Sequence, residues 1–240
     1  MKTRPQGEII SPFGPPVWVG KLDEDIINDV NDIIESRRGD PKSKIGADLL
    51  AGRVEEQITI EDVVSDTTKT HILDHAVTWA QSIGMEIYTE QLQIEGLWVN
   101  LQKEFEYNPI HAHDGMFSFV FYTKNTITRE DATDNMFDRN ITSESKALAG
   151  HIDLHYGETQ FMNWTSMHHY PEKGDILIFP SWLNHSVYPF HDPQGEYGYQ
   201  RPYSEKTAEL IDSEARNMID QAYKRTIQLL TEKKDQVEAI

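Results

Sequence analysis

The sequence predicts an α+β protein that is mainly β, in which antiparallel strands form a sandwich or a barrel. In the first third of the chain, apolar residues recur at helical spacing, and the pattern then changes to an alternation with a period of two. From there to about residue 190, short apolar runs are separated by turn residues, which is typical of antiparallel sheets.

Two amphipathic helices are predicted ahead of the strands. A helix over about 23–37 has Asp23 at its N-cap position, and a second helix covers about 69–83. The apolar positions that predict them are Leu22, Ile26, Val30 and Ile33 in the first, and Ile72, Leu73, Ala76, Val77 and Ala80 in the second. Residues 1–16 are expected to be an extended lead-in, followed by a short strand over 17–19.

The strands follow from about residue 90. Leu97, Val99 and Leu101 alternate with Trp98, Asn100 and Gln102, and the further strand-like runs are 117–122, 151–156, 176–179 and 187–190. The polar stretch 124–149 is predicted to be a long loop between strands, either a lid or mobile. Helical spacing of Ala208, Ile211, Ala215, Met218 and Ala222 predicts a C-terminal helix over about 205–234.

We interpret residues 1–240 as a single domain. Its helical support would cover about 17–90, its barrel core about 91–201, and its C-terminal helix about 205–234. That last helix could pack on the barrel or on a second chain, so an oligomer is one possible state.

Composition restricts the classes of function. The chain has 240 residues, a formal net charge of −18 and no cysteine, which excludes disulfides, thiolate metal sites and cysteine nucleophiles. So acidic a surface repels nucleic acids and anionic lipids, and it favours a basic or neutral target such as a peptide. No apolar run approaches the ~18 residues of a membrane span, and no secretion signal is visible, so a cytoplasmic location is expected.

Three histidines form the first candidate metal site. His111 and His113 are two residues apart on a predicted strand and would face the same side. His185 opens another strand behind a tight turn, where packing can hold its ring still. A nitrogen-rich, open-sided site of this kind suits Fe(II), and also Zn or Ni.

A competing set lies on a later strand. His151, Asp153 and His155 share one face, and His151 with Asp153 has the H-x-D form of a two-histidine, one-carboxylate site. We interpret this set as the polar outer face of an edge strand. The pair His168-His169 is expected to be exposed, and the helical pair His71 and His75 to lie on the surface.

Two gapped motifs in this order resemble the 2-oxoglutarate/Fe(II)-dependent oxygenases, and in particular a prolyl-hydroxylase-like subgroup met in marine bacteria and their phages. The first motif lies within 98–124 and the second within 174–190. The matching residues are Asn108, Pro109, His111, His113, Ser118, Val120, Tyr122, Gly174, Asp175, Phe179, Pro180, Ser181, Trp182, His185, Val187 and Pro189.

The resemblance implies a double-stranded β-helix, or jelly-roll, barrel with supporting N-terminal helices. It also implies Fe(II) in the barrel mouth, 2-oxoglutarate as cosubstrate and O2 as oxidant. The expected reaction is hydroxylation of a C–H bond of a small molecule or peptide, with release of succinate and CO2. Trp98, Trp164 and Trp182 could line the substrate pocket, although aromatic residues on barrel strands more often belong to the core.

The metal ligands depart from the common pattern of the superfamily, which is H-x-D. Here position i+2 is His113, so the expected catalytic and metal-binding set is His111, His113 and His185. Asp114 is the alternative to His113, because a bulge at Asp114-Gly115 could swing its carboxylate towards the metal.

The anchor for 2-oxoglutarate also departs from the pattern. Relatives place an arginine after the distal histidine, and Arg201 with Ser204 is the nearest candidate, although Pro202 follows immediately. Lys124 could form the salt bridge instead, and Tyr107 or Tyr122 could donate a hydrogen bond to the cosubstrate. Two other functions stay open: a cupin-like metal dioxygenase that needs no 2-oxoglutarate, and a non-catalytic jelly-roll binding protein.

Overall fold

Two antiparallel sheets face each other in the computed structural model, and this arrangement confirms the mainly β jelly-roll class. The structure describes residues 6–10, 14–40, 52–127, 150–158, 160 and 165–190, together with the backbone of 208–217. No helix within these ranges is long and apolar enough to cross a membrane.

In chain order, the described strands are β1 (Gly7–Ile10), β2 (Val17–Lys21), β3 (Gln57–Thr59), β4 (Leu92–Gln102), β5 (Asn108–His111), β6 (Phe117–Asn125), β7 (Ile152–His155), β8 (Ser166–His169), β9 (Asp175–Pro180), β10 (Asn184–Val187) and β11 (Ala208–Asn217). The larger sheet has the order β1-β2-β9-β6-β11-β4-β3, and the smaller has the order β5-β10-β7-β8.

The two predicted N-terminal helices are confirmed as α1 (Glu24–Arg37) and α2 (Asp66–Ser82). The second helix begins three residues before the predicted start, because Ser65 caps it by accepting a hydrogen bond from the Thr68 N–H. Both helices pack on the outer face of the larger sheet. Their apolar stripes share one core cluster with Val99, Phe119 and Ile178.

A second core fills the space between the two sheets. Val120 of β6, Leu177 of β9, Leu154 of β7 and Val187 of β10 belong to it. On β6, Phe119 faces the helices while Val120 faces the barrel interior. The strand is buried on both faces, which explains why its sequence is a continuous apolar run instead of an alternation.

The strand directions give the barrel two distinct ends. The connections 112–116 and 181–183, and residues 156–158 just after β7, lie at one end, which we call the ligand end because His113 lies there. The connections 103–107 and 170–174, and the end of β6, lie at the opposite end.

The C-terminal helix prediction is wrong over the described part, because residues 208–217 form β11 between β4 and β6. Its backbone bonds to both neighbours, which do not pair with each other, so the segment satisfies donors and acceptors on two strands at once. Tertiary pairing of this kind overrides local helical spacing. The rest of the predicted helix lies outside the described residues.

Two other expectations are adjusted. Between the two helices, where no strand was predicted, β3 pairs with β4 and buries Ile58. The predicted loop 124–149 begins later than expected, because Lys124 and Asn125 still belong to β6. Residues 128–149 lie outside the described part. The single-domain organisation stays a prediction.

Candidate metal centre

Three histidines from two distant segments converge at the ligand end. The ligand nitrogens of His111, His113 and His185 all lie within 4.8 Å of one another. Within the described ranges, this is the one group of three or more His or carboxylate side chains that is arranged to hold a metal ion. The sequence analysis expected these three side chains to converge, and their role as metal ligands stays a prediction.

Each histidine is placed by the backbone that carries it. His111 ends β5 and is the register partner of His185 on β10, and their ring centroids are 4.2 Å apart. His113 lies two residues beyond the strand, in the connection to β6, where its N–H donates to the Ser181 carbonyl at 3.0 Å. The expected strand face therefore holds for His111, while a loop contact positions His113.

The protonation of two rings follows from their neighbours. Nδ1 of His111 lies 2.7 Å from the Pro109 carbonyl, and Nδ1 of His185 lies 3.1 Å from the Leu183 carbonyl. A carbonyl oxygen can only accept, so in both rings Nδ1 carries the hydrogen and Nε2 presents its lone pair. A metal-binding imidazole needs this tautomer, so the donor set fits a divalent metal ion.

Neighbouring side chains restrict the rings further. Phe179 packs edge-on against His185 with centroids 5.0 Å apart, and Trp98 packs against His113 at 5.6 Å. The Ser181 hydroxyl donates to the Gly115 carbonyl, which ties the two connections of the site together. Trp98, predicted to line the pocket or the core, thus contacts a candidate ligand directly.

Asp114, the alternative ligand, is exposed and does not belong to the converging group. The competing set is organised differently from the prediction. β7 lies between β10 and β8, so it is not an edge strand, and Asp153 is 1% exposed. The Asp153 carboxylate contacts Nδ1 of His168 at 2.6 Å, and Nε2 of His155 lies 3.0 Å from the Ser186 hydroxyl.

The helical histidine pair also differs from its expected surface position. His75 is 1% exposed, and its Nδ1 accepts a hydrogen bond from the Trp18 indole at 3.1 Å. Burial, with a smaller contribution from neighbouring His71, lowers the pKa of His75 to about 4. This residue therefore belongs to the packing of α2 against β2.

The candidates for binding 2-oxoglutarate are distributed unevenly. Tyr122 is 1% exposed and belongs to the core between the sheets. Lys124 is exposed and lies near the C-terminal end of β6, at the end of the barrel opposite the ligand end. Tyr107 is half-buried, and its backbone carbonyl accepts a hydrogen bond from the Arg53 N–H. Arg201 and Ser204 lie outside the described residues.

Buried amides on β3 and β4 form a hydrogen-bonded group that was not singled out from the sequence. Gln57 donates to Asn100 at 2.7 Å. On β4, Leu97, Val99 and Leu101 face the helices, so Trp98, Asn100 and Gln102 face the opposite, inner side. Gln102 donates to the carbonyls of Glu106 and Tyr188. The period of two on β4 was the signal that could have placed these amides on the inner face beside Trp98.

Asp175, in the G-D motif, lies at the end of the barrel opposite the three candidate metal ligands. Its carboxylate contacts Nζ of Lys21 at 2.7 Å and Nε2 of His169 at 3.0 Å, and it accepts from the Glu172 N–H at 2.8 Å. Burial alone would raise the pKa of Asp175, but the hydrogen bonds from His169, Lys21 and Glu172 lower it overall. The motif therefore fixes the start of β9.

Comparisons with known proteins give different matches for residues 96–196 and for residues 188–240. A family model described as "Putative 2OG-Fe(II) oxygenase" matches residues 96–196. A prolyl-4-hydroxylase from Pseudomonas putida has a similar fold, with a TM-score of 0.50 and 12% identity over 84% of this chain and 92% of that one.

These findings define the class. Residues 96–196 match a 2-oxoglutarate/Fe(II) oxygenase family model on a prolyl-hydroxylase-like fold, and the resemblance read from the two motifs is confirmed. The narrower likeness to a marine bacterial and phage subgroup stays a prediction.

The last part of the chain matches a second family, which was not recognised from the sequence. A model described as "Peptidase family M41" matches residues 188–240. Forty-seven residues are 53% identical to the mitochondrial inner membrane m-AAA protease component AFG3L2 of Mus musculus, and an ATP-dependent zinc metalloprotease FtsH of Akkermansia muciniphila is 52% identical over 40 residues. These alignments cover 20% and 17% of this chain but only 6% and 5% of the proteases.

Proposed function

We propose that the protein is a 2-oxoglutarate- and Fe(II)-dependent dioxygenase that hydroxylates a C–H bond and releases succinate and CO2. The observation that carries this proposal is the convergence of His111, His113 and His185 at the ligand end of an oxygenase-type barrel. Iron bound there would supply the activation of O2. Three protein ligands leave further coordination positions for 2-oxoglutarate and O2.

The chain's own residues would keep these ligands in place and water out. The carbonyls of Pro109 and Leu183 fix the tautomers of His111 and His185, and Phe179 limits rotation of the His185 ring. The apolar layer between the sheets borders the site on its inner side, which favours a low local dielectric.

The cosubstrate needs a partner for the carboxylate that does not face the metal. We expect Tyr122, which lies in the core between the sheets, to donate to it, and Lys124 to add a positive charge from the opposite end of β6. The amides of Gln57 and Asn100 are further donors on the inner face. Tyr107, Arg201 and Ser204 stay predicted contributors.

Succinate formation tests the proposal. Purified protein with Fe(II), ascorbate and 2-oxoglutarate should produce succinate, and His185→Ala should abolish it. His71→Gln is the matched control, since it removes an imidazole outside the metal group. Iron-loaded wild-type protein that makes no succinate, with or without candidate substrates, would contradict the proposal.

Cosubstrate binding is tested separately from turnover. With Mn(II) in place of iron, calorimetric titration should detect 2-oxoglutarate binding, and Tyr122→Phe and Lys124→Met should each weaken it. Lys103→Met, which changes a lysine paired with Glu55 outside the barrel, should leave it unchanged. Equal affinity in all variants would remove Tyr122 and Lys124 from the site.

The third histidine favours one alternative, a cupin-like metal dioxygenase that does not use 2-oxoglutarate. His113 takes the place at which the common pattern has a carboxylate. Oxygen uptake by the iron-loaded protein in the absence of 2-oxoglutarate, given a suitable substrate, would identify this alternative. A barrel that takes up no iron would instead fit the non-catalytic binding protein.

The likeness to zinc metalloproteases is not carried over to an activity. The His-Glu-x-x-His motif of such enzymes occurs nowhere in the 240-residue sequence, and the matched segment 188–240 contains one histidine, His191. The proposed chemistry therefore belongs to the barrel alone.

A further inference from the structure

Two large aromatic side chains are exposed together at the ligand end. Trp182 is 56% exposed and Tyr156 is 41% exposed, and their ring centroids are 5.9 Å apart with planes tilted by 54°. Trp182 lies in the turn between β9 and β10, and Tyr156 immediately follows β7. Apolar side chains of this size are normally buried, so a paired exposure needs a reason.

The pair lies at the same end of the barrel as the candidate metal centre, and backbone hydrogen bonds hold the segments that carry it. Trp182 follows Ser181, whose carbonyl accepts from the His113 N–H, and it precedes His185 by three residues. Tyr156 donates its backbone N–H to Thr165. A Cβ atom built on Gly14 would lie 2.9 Å from the Tyr156 ring, so the bend before β2 approaches the ring more closely than a larger residue would allow.

Charge is distributed unevenly between the two ends of the barrel. The described residues of the connections at the ligand end, 112–116, 156–158, 160, 165 and 181–183, include Asp114 and Glu158 but no Lys or Arg. Lys103 and Lys173 lie in the connections at the opposite end, where β6 also ends just after Lys124.

One arginine, Arg216, reaches the ligand end on β11, which lies two strands away from β9 in the larger sheet. Among the described residues of the connections at this end, the charged side chains are thus acidic, on a chain whose net charge is −18. Such a field draws cations towards the site and repels anions.

We infer that Tyr156 and Trp182 form a cation-recognition surface, which selects substrates carrying an ammonium or quaternary ammonium group near the C–H bond to be oxidised. This inference rests on the proposed oxygenase function. The negative faces of the two rings attract a cation, Trp most strongly, and Glu158 adds a charge nearby. A neutral apolar group would gain contact area but no electrostatic attraction.

Binding of tetramethylammonium tests the surface without any turnover. Protein labelled with 5-fluorotryptophan is titrated with tetramethylammonium chloride, tert-butanol as the neutral isostere, and NaCl as the salt control. The Trp182 fluorine resonance, assigned through Trp182→Phe, should shift saturably with tetramethylammonium alone. No shift, or an equal shift with tert-butanol, would overturn the inference.

Variants separate the aromatic and the charge contributions. Tyr156→Leu should weaken tetramethylammonium binding about two- to fivefold, the effect expected of one exposed cation–π contact, and Tyr156→Phe should retain most of the affinity. Glu158→Gln should weaken binding at low salt, whereas Glu8→Gln, an exposed carboxylate on β1, should not. An equal loss of tetramethylammonium affinity in both glutamine variants would show that only the net charge of the protein matters, and it would overturn the site.

The outcomes are independent of the oxygenase assay. The titration uses iron-free or Mn(II)-loaded protein, so it can succeed when succinate formation fails. It can likewise fail while turnover stands, and that result would overturn the cation surface and leave the proposed oxygenase function intact.

Discussion

His111 and His185 face each other across the β5–β10 ladder with their ring centroids 4.2 Å apart, although they come from separate motifs of the sequence. Direct register pairing puts both side chains on the same face of the sheet, and one ladder therefore aims two ligands at one point. With His113 in the following connection, the site needs no movement of the strands to accept an ion.

Metal binding should stabilise the folded protein. At a free metal concentration one hundred times the dissociation constant, the gain is ~2.7 kcal/mol, because a preformed site binds only in the folded state. Thermal unfolding with and without Fe(II) or Zn(II) measures it. The shift should vanish in His185→Ala and persist in His71→Gln, and a shift that persists in His185→Ala would refute the ligand set.

Two buried serines should respond differently to replacement by alanine. Ser181 donates to the Gly115 carbonyl, and both residues lie in connections that carry the metal site, so Ser181→Ala should cost about 1 kcal/mol of unfolding free energy. It should also lower metal affinity about tenfold through His113, which bonds to the Ser181 carbonyl.

Ser118→Ala is the matched control, since the Ser118 hydroxyl is buried without a hydrogen-bond partner in the described part of the chain. Its removal should be neutral or slightly stabilising in denaturant unfolding, because it deletes an unsatisfied polar group. Equal destabilisation by both variants would show that the Ser181 contact has no special role.

The folded protein should become less stable as the pH is lowered, because His75 is buried in its neutral form. Its folded pKa is about 4, below the ordinary value of 6.5, so the unfolded chain binds a proton first as the pH drops. Stability is therefore fully present above about pH 6.5 and is lost between there and pH 4, by on the order of 3 kcal/mol. Burial also lowers the pKa of His155, which acts in the same direction.

Urea unfolding at several pH values between 7 and 4 measures this loss. His75→Gln removes the titrating group while keeping an acceptor for the Trp18 indole, so its stability should depend less on pH over this window. A variant with the same pH dependence as the wild type would show that other groups dominate.

Replacing Asp175 should lower the free energy of unfolding more than replacing Lys21, its more exposed partner. Asp175→Asn removes the buried carboxylate that contacts both Lys21 and His169 at the start of β9, and it should cost ~3 kcal/mol in denaturant unfolding. Lys21→Met should cost less than about 1 kcal/mol, because the lysine side chain is half-exposed.

The lowered pKa of Asp175 gives the pH dependence of this contribution. It is present above pH 3.8, the ordinary value, and is lost as the pH falls through the lower folded pKa. Asp175→Asn should therefore be least destabilising at the lowest pH. A loss that does not change with pH would mean that the amide disrupts packing and not the charge pair.

The position of β11 can be tested by cross-linking, because the chain contains no cysteine. Arg216 and Gln93 are register partners on β11 and β4, so a double Cys variant at these positions should form a disulfide under mild oxidation. A pair at Arg216 and Lys103, at the other end of β4, should not. Mass spectrometry of the non-reduced protein distinguishes them, and failure of the first pair would restore the predicted helix.

Local pattern determined much of this protein. The helical stripes around Val30 and Ile72, the alternation on β4 and the doubly buried run on β6 each follow from how side chains must face to leave water. The H-x-H and distal histidine motifs led to His111, His113 and His185 as candidate ligands, and the fold brings these three side chains together.

Only the tertiary structure decided the rest. The helical spacing at 208–217 gave way to a strand because two neighbouring strands offered unpaired backbone groups, which no local window contains. In the same way, Asp153 lies on a central strand and His75 in the core because distant segments cover them. The spacing of apolar residues indicates which side of a single helix or strand is buried. Which strands pair and which residues are covered depends on contacts between segments that are distant in the sequence.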